Sequence, residues 1–354
     1  MQHSAFRLTI CGVLLILVAC APQPGPTQPS PPVSSNTGQP HPPRIEEITF
    51  QSGSFGLVGD LRLPEGSGPF PVVLFVHGSG PTDRTASGMY LPIMERMLRA
   101  GYATFAWDKP GMGESTGQLI STCVYHQRAQ IVLHAVGVMK AHPDIDLQQI
   151  GLWGISQASY MMPRVLSLSE DIAFTICVSC GGMAGVDETA YHIISEAFCA
   201  GVPEETADTL RRVLSELDRA RTFETYDEYV HDREVLDALA GMGAYTPDYD
   251  GLGVIPKEAW QVNHPEYERS WNPIEVIEQA RIPILAIFGD RDTNGDPIQR
   301  AYAWKKALEQ AGNPDSRVEI IPGADTCPAC RRPAAYMNNT KRSSGYYKPR
   351  DTAR

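Results

Sequence analysis

Ser156 is the residue whose type and setting best suit nucleophilic chemistry. It stands in Ile150-Gly151-Leu152-Trp153-Gly154-Ile155-Ser156-Gln157-Ala158-Ser159-Tyr160. Ile150 to Ile155 is apolar and fits a buried strand. From Gln157 to Leu168 the pattern turns helical, with Ala158, Met161, Met162, Val165 and Leu166 recurring every three or four residues. Gly154 and Ala158 flank the serine at minus two and plus two, where strand and helix backbones close up and only tiny side chains fit. Such a corner pushes the hydroxyl out above the end of a sheet and turns the following N–H groups towards the same space. A hydroxyl so placed could attack a carbonyl carbon, as an activated serine does.

A second serine competes on pattern alone. Gly113-Glu114-Ser115-Thr116-Gly117 is the stricter G-x-S-x-G match. It follows the loop Lys109-Pro110-Gly111-Met112, not a strand, and no apolar helix begins at Ser115. Context therefore favours Ser156, although an ordinary strand-to-helix junction carrying a serine would share its motif.

The elements that must position Ser156 alternate along the chain. Ile45 to Phe50 and Leu57 to Leu63 read as antiparallel strands joined by a Gly-rich turn. Pro71 to His77 is a buried strand running into His77-Gly78-Ser79-Gly80-Pro81, followed by helical spacing through Leu91, Met94, Met97 and Leu98. Strands at Tyr102–Trp107, Ile150–Ile155, Ala173–Ser179 and Ile282–Phe288 are interleaved with helices at Tyr125–Ala141 and Gln157–Leu168. This alternation predicts an α/β fold with a mostly parallel sheet covered on both faces. Between 183 and 272 it breaks into helical segments and an aromatic stretch with Tyr245, Tyr249, Trp260, Tyr267 and Trp271.

With its elbow-like corner at Ser156, the His77-Gly78-Ser79-Gly80 loop and the segment Asp108-Lys109-Pro110-Gly111-Met112-Gly113-Glu114-Ser115, the chain resembles the α/β-hydrolases of esterase, lysophospholipase and serine-aminopeptidase type over about residues 45–325. Two departures are an Ala in place of the elbow's last Gly and Lys-Pro where the "D-x-R-G-x-G-x-S" loop often has Arg. The resemblance implies Ser156 as nucleophile and the backbone N–H groups of Ser79 and Gln157 as the oxyanion hole. It implies a structural, not a basic, role for His77. Gly289-Asp290-Arg291-Asp292-Thr293 matches the family's G-x-x-D turn and makes Asp292 the triad acid, with Asp290 and Asp296 as weaker candidates. A solvated acidic turn is the alternative, since Asp is common in turns, but the position after a late strand favours Asp292. The insertion at 183–272 would be a cap that excludes water and selects substrates by shape.

The triad base is missing. The family carries its His after a late strand, in a segment such as P-G-A-D-H; here Pro322-Gly323-Ala324-Asp325 is followed by Thr326. All nine His residues precede Asp292. Residues 326–354 form a basic tail with Arg331, Arg332, Lys341, Arg342, Lys348, Arg350 and Arg354 against Asp351 alone, and they lack the 3.6-residue period of the family's last helix. A change of reading frame near Thr326 would account for all three features; a genuine, unusual tail is the alternative.

The N-terminus reads as an export signal. Arg7 precedes twelve mostly apolar residues, Leu8 to Ala19, a run too short to span a membrane. It ends Leu17-Val18-Ala19-Cys20, which resembles the bacterial lipobox and implies cleavage before Cys20 and its acylation. A plain secretory signal cut near Ala19 or Ala21 is the alternative. Residues 21–44 hold nine prolines and form no core, so they make a semi-rigid tether.

The expected organisation is a leader (1–19), a tether (20–44), a core in two parts (45–182 and 273–325) around a cap (183–272), and the tail (326–354). The net charge of −11 argues against nucleic acid. Cys177 and Cys180, three apart on one predicted strand, would face opposite sides and not pair with each other. Cys327 and Cys330 form a lone C-x-x-C, short of the four ligands of a zinc site. No cofactor or metal is expected. The expected function is serine hydrolysis of carboxylic esters, on a small ester or acyl substrate, impaired by the absent His. The protein would be exported and held at a cell or outer membrane by its lipid, facing the periplasm or the exterior. An aminopeptidase-type peptidase and a non-catalytic, surface-anchored binding protein are the alternatives.

Overall fold

The computed structural model describes residues 42–118, 124–181 and 272–324, with single positions between 191 and 258. The leader, Cys20, the tether up to residue 41, Cys123, nearly all of the cap, and the tail with Thr326, Cys327 and Cys330 lie outside the described residues.

The hairpin forms where alternation and a Gly turn demand it. β1 (Arg44–Ser52) and β2 (Phe55–Leu63) pair antiparallel, with Gly53 between them at φ +60°. The next elements are β3 (Phe70–Val76), α1 (Leu91–Arg99), β4 (Ala103–Trp107), α2 (Val124–Lys140), β5 (Ile145–Ile155), α3 (Ala158–Leu168) and β6 (Ile172–Val178). A short α4 (Pro273–Ile277), which the sequence did not signal, precedes β7 (Ile284–Gly289), α5 (Pro297–Ala311) and β8 (Arg317–Ile321). The eight strands run in the order β1-β2-β4-β3-β5-β6-β7-β8. β3 is parallel to both β4 and β5, and β5 is parallel to β6.

The chain divides into two compact units. The first comprises residues up to Val178 with Glu275–Leu285 and Ala307–Arg317; the second comprises Ser179–Ile274, Ala286–Lys306 and the remainder. In the first, Val72 to Val76 are all within 1% of full burial, so β3 is covered on both faces, as its uninterrupted apolar run predicts. Phe75, Tyr90 and Trp153 pack in tilted and edge-on pairs at centroid distances of 4.8–5.5 Å and tie the start of α1 to β3 and β5. Tyr125 of α2 stacks on Tyr160 of α3 at 4.8 Å.

One sequence inference changes. β6 ends at Val178 and Ser179 turns to φ +48°, so Cys180 lies beyond the strand and the opposite-face argument does not apply to it. Both Cys177 and Cys180 are disulfide-bonded.

Candidate active site

Strand order assembles the site. β4, β3 and β5 are parallel neighbours, so the segments after their C-terminal ends emerge side by side, where open α/β sheets bind ligands. These segments carry Asp108–Lys109, His77–Gly80 and Ser156. Val76 pairs with Gly154, which sets the His77 loop beside the elbow. A Cβ on Gly78 would lie 3.3 Å from the Ile155 carbonyl oxygen and 3.5 Å from Ser156 Cβ, so the two segments touch backbone to backbone.

Ser156 occupies the corner between β5 and α3 at φ +54°, a left-handed conformation that L-residues rarely adopt. Its N–H still belongs to the sheet and donates to the Val178 carbonyl at 2.9 Å. Its own carbonyl accepts from the Ser159 N–H at 3.0 Å and the Ser159 hydroxyl at 2.9 Å, which starts the helix. The chain thus passes from strand to helix within one residue. Gln157 is the N-cap of α3, among the groups whose N–H has no partner within the helix. The small flanking residues are required: a Cβ on Gly154 would meet Ala158 Cβ at 2.6 Å and the Met162 sulfur closer still.

Ser115 is bound into the backbone instead. It is buried, its hydroxyl donates to the Asp108 carbonyl at 2.8 Å, and it accepts from the Val58 N–H at 3.0 Å. The stricter motif at 113–117 shapes a loop around Asp108. The Asp108 carboxylate accepts from the N–H groups of Arg84 (2.7 Å) and Glu114 (3.0 Å) and pairs with the Arg84 guanidinium at 2.8 Å. A Cβ on Gly113 would run into that carboxylate. Burial pushes the Asp108 pKa up, but these hydrogen bonds outweigh it and hold it below the usual range.

His77 has a structural role in this geometry. It is 2% exposed; Nε2–H donates to the Trp107 carbonyl at 2.6 Å, and Nδ1 faces the Tyr90 hydroxyl at 3.3 Å. Burial, with the nearby Lys109 cation, pushes the His77 pKa down to about 3, so the ring is neutral at physiological pH. Of the other described histidines, His134 bonds Ser52 at 2.8 Å, His142 bonds Glu46 at 3.1 Å, and His126 lies on α2.

Three basic side chains and a phenol near the site, Arg84, Lys109, Arg128 and Tyr90, were not signalled as functional by sequence. Lys109 Nζ donates to the carbonyls of Gly78 (2.6 Å) and Gly80 (2.5 Å). Arg128 of α2 donates to the His77 carbonyl and to Gln157 Oε1. Burial, and then the neighbouring guanidinium, push Lys109 down to about 6; burial pushes Arg128 down to about 10. The one sequence signal was Lys109 itself, in the loop where the resemblance was already strained.

The acid candidates belong to the second unit and follow β7. Asp292 is fully buried, accepts from the Asn294 N–H at 2.9 Å and lies 3.6 Å from the buried Arg300 guanidinium. Asp290 accepts from the Gly323 N–H at 2.7 Å and braces the turn after β8. Asp296 accepts from the N–H groups of Ile298 and Gln299 and caps α5. The two weaker candidates therefore have local duties that account for them.

Glu46, His142 and Asp144 bring possible metal-ligand atoms within 4.8 Å of one another. The Arg44 guanidinium is already there, bonded to Glu46 at 2.6 Å and to Asp144, so the group forms an ion-pair cluster.

A sequence profile described as the alpha/beta hydrolase family matches residues 73–336. Esterase EstD of Thermotoga maritima is 25% identical over 242 residues, which is 67% of this chain and 50% of EstD, so the match spans about half of that relative's length. An uncharacterized 31.7 kDa protein of Escherichia coli, from the traX-finO intergenic region, is 30% identical over 294 residues, 79% of this chain and 91% of its own. In structure, the chain is similar to the Pyrococcus furiosus esterase Pf2001, with a TM-score of 0.51 at 17% identity, covering 85% of this chain and 89% of the other. That last likeness concerns the fold alone. The extent of the profile match, together with the sheet order, gives the conclusion that this chain belongs to the alpha/beta hydrolase family.

Proposed function

We propose that the chain is a serine hydrolase of carboxylic esters. The observation that carries this reading is Ser156 at φ +54° on the one-residue corner between β5 and α3, with the Gly78 loop against it. In the reaction, Ser156 Oγ attacks the ester carbonyl carbon and its proton leaves for a base. The negative charge collects on the carbonyl oxygen, facing the N–H groups of Ser79 and Gln157. Collapse breaks the bond to the alcohol, which departs with a proton, and water then releases the acid from the acyl-serine. In this reading Asp292 is the acid, as the match of Gly289–Asp292 to the family's G-x-x-D turn implies. EstD, an esterase by name, supports the choice of ester over other acyl substrates.

The base is the weak member. No His follows Asp292 in the sequence, and His77 is neutral and committed to Trp107 and Tyr90. Turnover is therefore expected to be very low, in the range left to a triad without its base. The test is hydrolysis of p-nitrophenyl acetate and butyrate by the chain and by its Ser156→Ala variant, with fluorophosphonate labelling read by mass spectrometry. Slow hydrolysis and labelling that Ser156→Ala abolishes support the reading. Labelling at Ser115, or a rate untouched by Ser156→Ala, overturns it. In the same reading the protein is exported and anchored through acylated Cys20; unmodified Cys20 in soluble mature protein would sink that part.

A further inference from the structure

Behind the loop that carries Ser79, two basic side chains hold three backbone oxygens. Lys109 Nζ donates to the Gly78 carbonyl at 2.6 Å and the Gly80 carbonyl at 2.5 Å. Arg128 donates from one nitrogen to the His77 carbonyl and from the other to Gln157 Oε1. Both side chains are buried, 4% and 6% exposed. Burying such strongly polar groups is costly unless they are hydrogen-bonded, and here the carbonyls of one short loop and one elbow side chain accept from them.

Peptide geometry turns these contacts into orientation. In a trans peptide the C=O and the next N–H point in opposite directions. Lys109, by gripping the Gly78 oxygen, therefore aims the Ser79 N–H away from itself. The loop needs such fixing, because it is Gly-rich and Gly80 sits at φ +71°. On the other side Arg128 donates to the His77 carbonyl, which restrains the preceding peptide. Arg128 then couples this loop to the residue after Ser156, so a single guanidinium spans both segments.

We propose that Lys109 and Arg128 are positioning residues that hold the Ser79 and Gln157 N–H groups in the arrangement needed to receive an oxyanion. This rests on the ester-hydrolase reading above, and it adds two residues that touch no reacting atom. Lys109→Met is the direct variant, since it nearly keeps the shape and removes the amine. Arg128→Lys keeps the charge but cannot bridge loop and elbow.

The experiment uses the full chain, with Ser156→Ala as control. It measures p-nitrophenyl butyrate kcat and KM, the rate of fluorophosphonate labelling, the melting temperature, and hydrogen exchange of the peptide covering residues 76–82. Both variants are expected to lower kcat and labelling about 10²-fold, the scale of a misplaced catalytic group, with melting and KM little changed and faster exchange in the loop. A purely structural role would instead lower melting and leave the folded fraction's kcat intact. Unchanged kcat in either folded variant, or a loss expressed through KM, overturns the proposal. If Lys109→Met does not fold, Arg128→Lys decides the matter. If Ser156→Ala labels as well as wild type, the hydrolase reading fails by itself, and loop exchange still judges the clamp: exchange unchanged by both substitutions overturns it.

Discussion

Gly154 and Ala158 lie so close across the Ser156 corner that a Cβ on the glycine would stand 2.6 Å from the alanine Cβ. The contact links the last turn of β5 to the first turn of α3 and explains why the motif spaces two small residues around the serine. Gly154→Val should therefore overpack the elbow and destabilise the fold by about 1–3 kcal/mol. Urea unfolding measures this; a variant as stable as wild type would mean the corner can open without cost.

The left-handed backbone of Ser156 gives a separate test. A non-Gly residue held at φ +54° stores strain on the order of 1–3 kcal/mol, which glycine does not feel and alanine does. Ser156→Gly should thus be more stable than Ser156→Ala, although both remove the hydroxyl. Equal stabilities by denaturant titration would remove strain from the description of this turn.

His77 predicts acid sensitivity. Its folded pKa is lowered from 6.5 to about 3, so between those values the unfolded chain binds a proton that the native chain refuses. Stability from this group is complete above pH 6.5 and is lost as pH falls towards 3, a loss of order 4–5 kcal/mol at about 1.4 kcal/mol per unit. Lys109, lowered from 10.5 to about 6, adds a slope of the same sign between those values. Unfolding measured against pH should show stability rising with pH through both windows; Lys109→Met should flatten the upper one and, because the Lys109 charge helps to depress His77, narrow the lower one.

Arg300 and Asp292 form a buried ion pair at 3.6 Å, with side chains 4% and 0% exposed. Arg300→Met should leave the carboxylate in a dry site without this cation and cost about 3–5 kcal/mol. Replacing both, as Arg300→Met with Asp292→Leu, should recover much of that loss. A single variant as stable as wild type would show that other contacts of Asp292 suffice.

Thr326→His is expected to restore little esterase activity by itself, because a base must also be held within hydrogen-bond reach of the nucleophile and oriented. Hydrolysis of p-nitrophenyl butyrate rising by orders of magnitude in this variant would show that the missing His is the whole defect.

The sequence by itself determined the element order, the elbow and the loops around it. Those features are local: apolar runs of fixed period, and Gly or Ala where backbones must touch, leave marks within ten residues of chain. The boundaries of β3, α2 and α3 lie within one residue of those read from the pattern. The rejection of Ser115 was also legible, since no strand precedes it. Only the tertiary structure decided why Ser115 is conspicuous at all: its hydroxyl ties Asp108 to Val58, fifty-seven residues earlier in the chain. The clamp of Lys109 and Arg128 is of the same kind. Lys109 is twenty-nine residues from Gly80 and Arg128 is fifty-one from His77, and nothing local distinguishes either from a solvated cation. Their burial follows from the pairing of β4, β3 and β5, which gathers distant segments beyond the C-terminal ends of these strands, with α2 packed beside them. A charge becomes a structural bond there because water is excluded, and that condition is set by the packed fold.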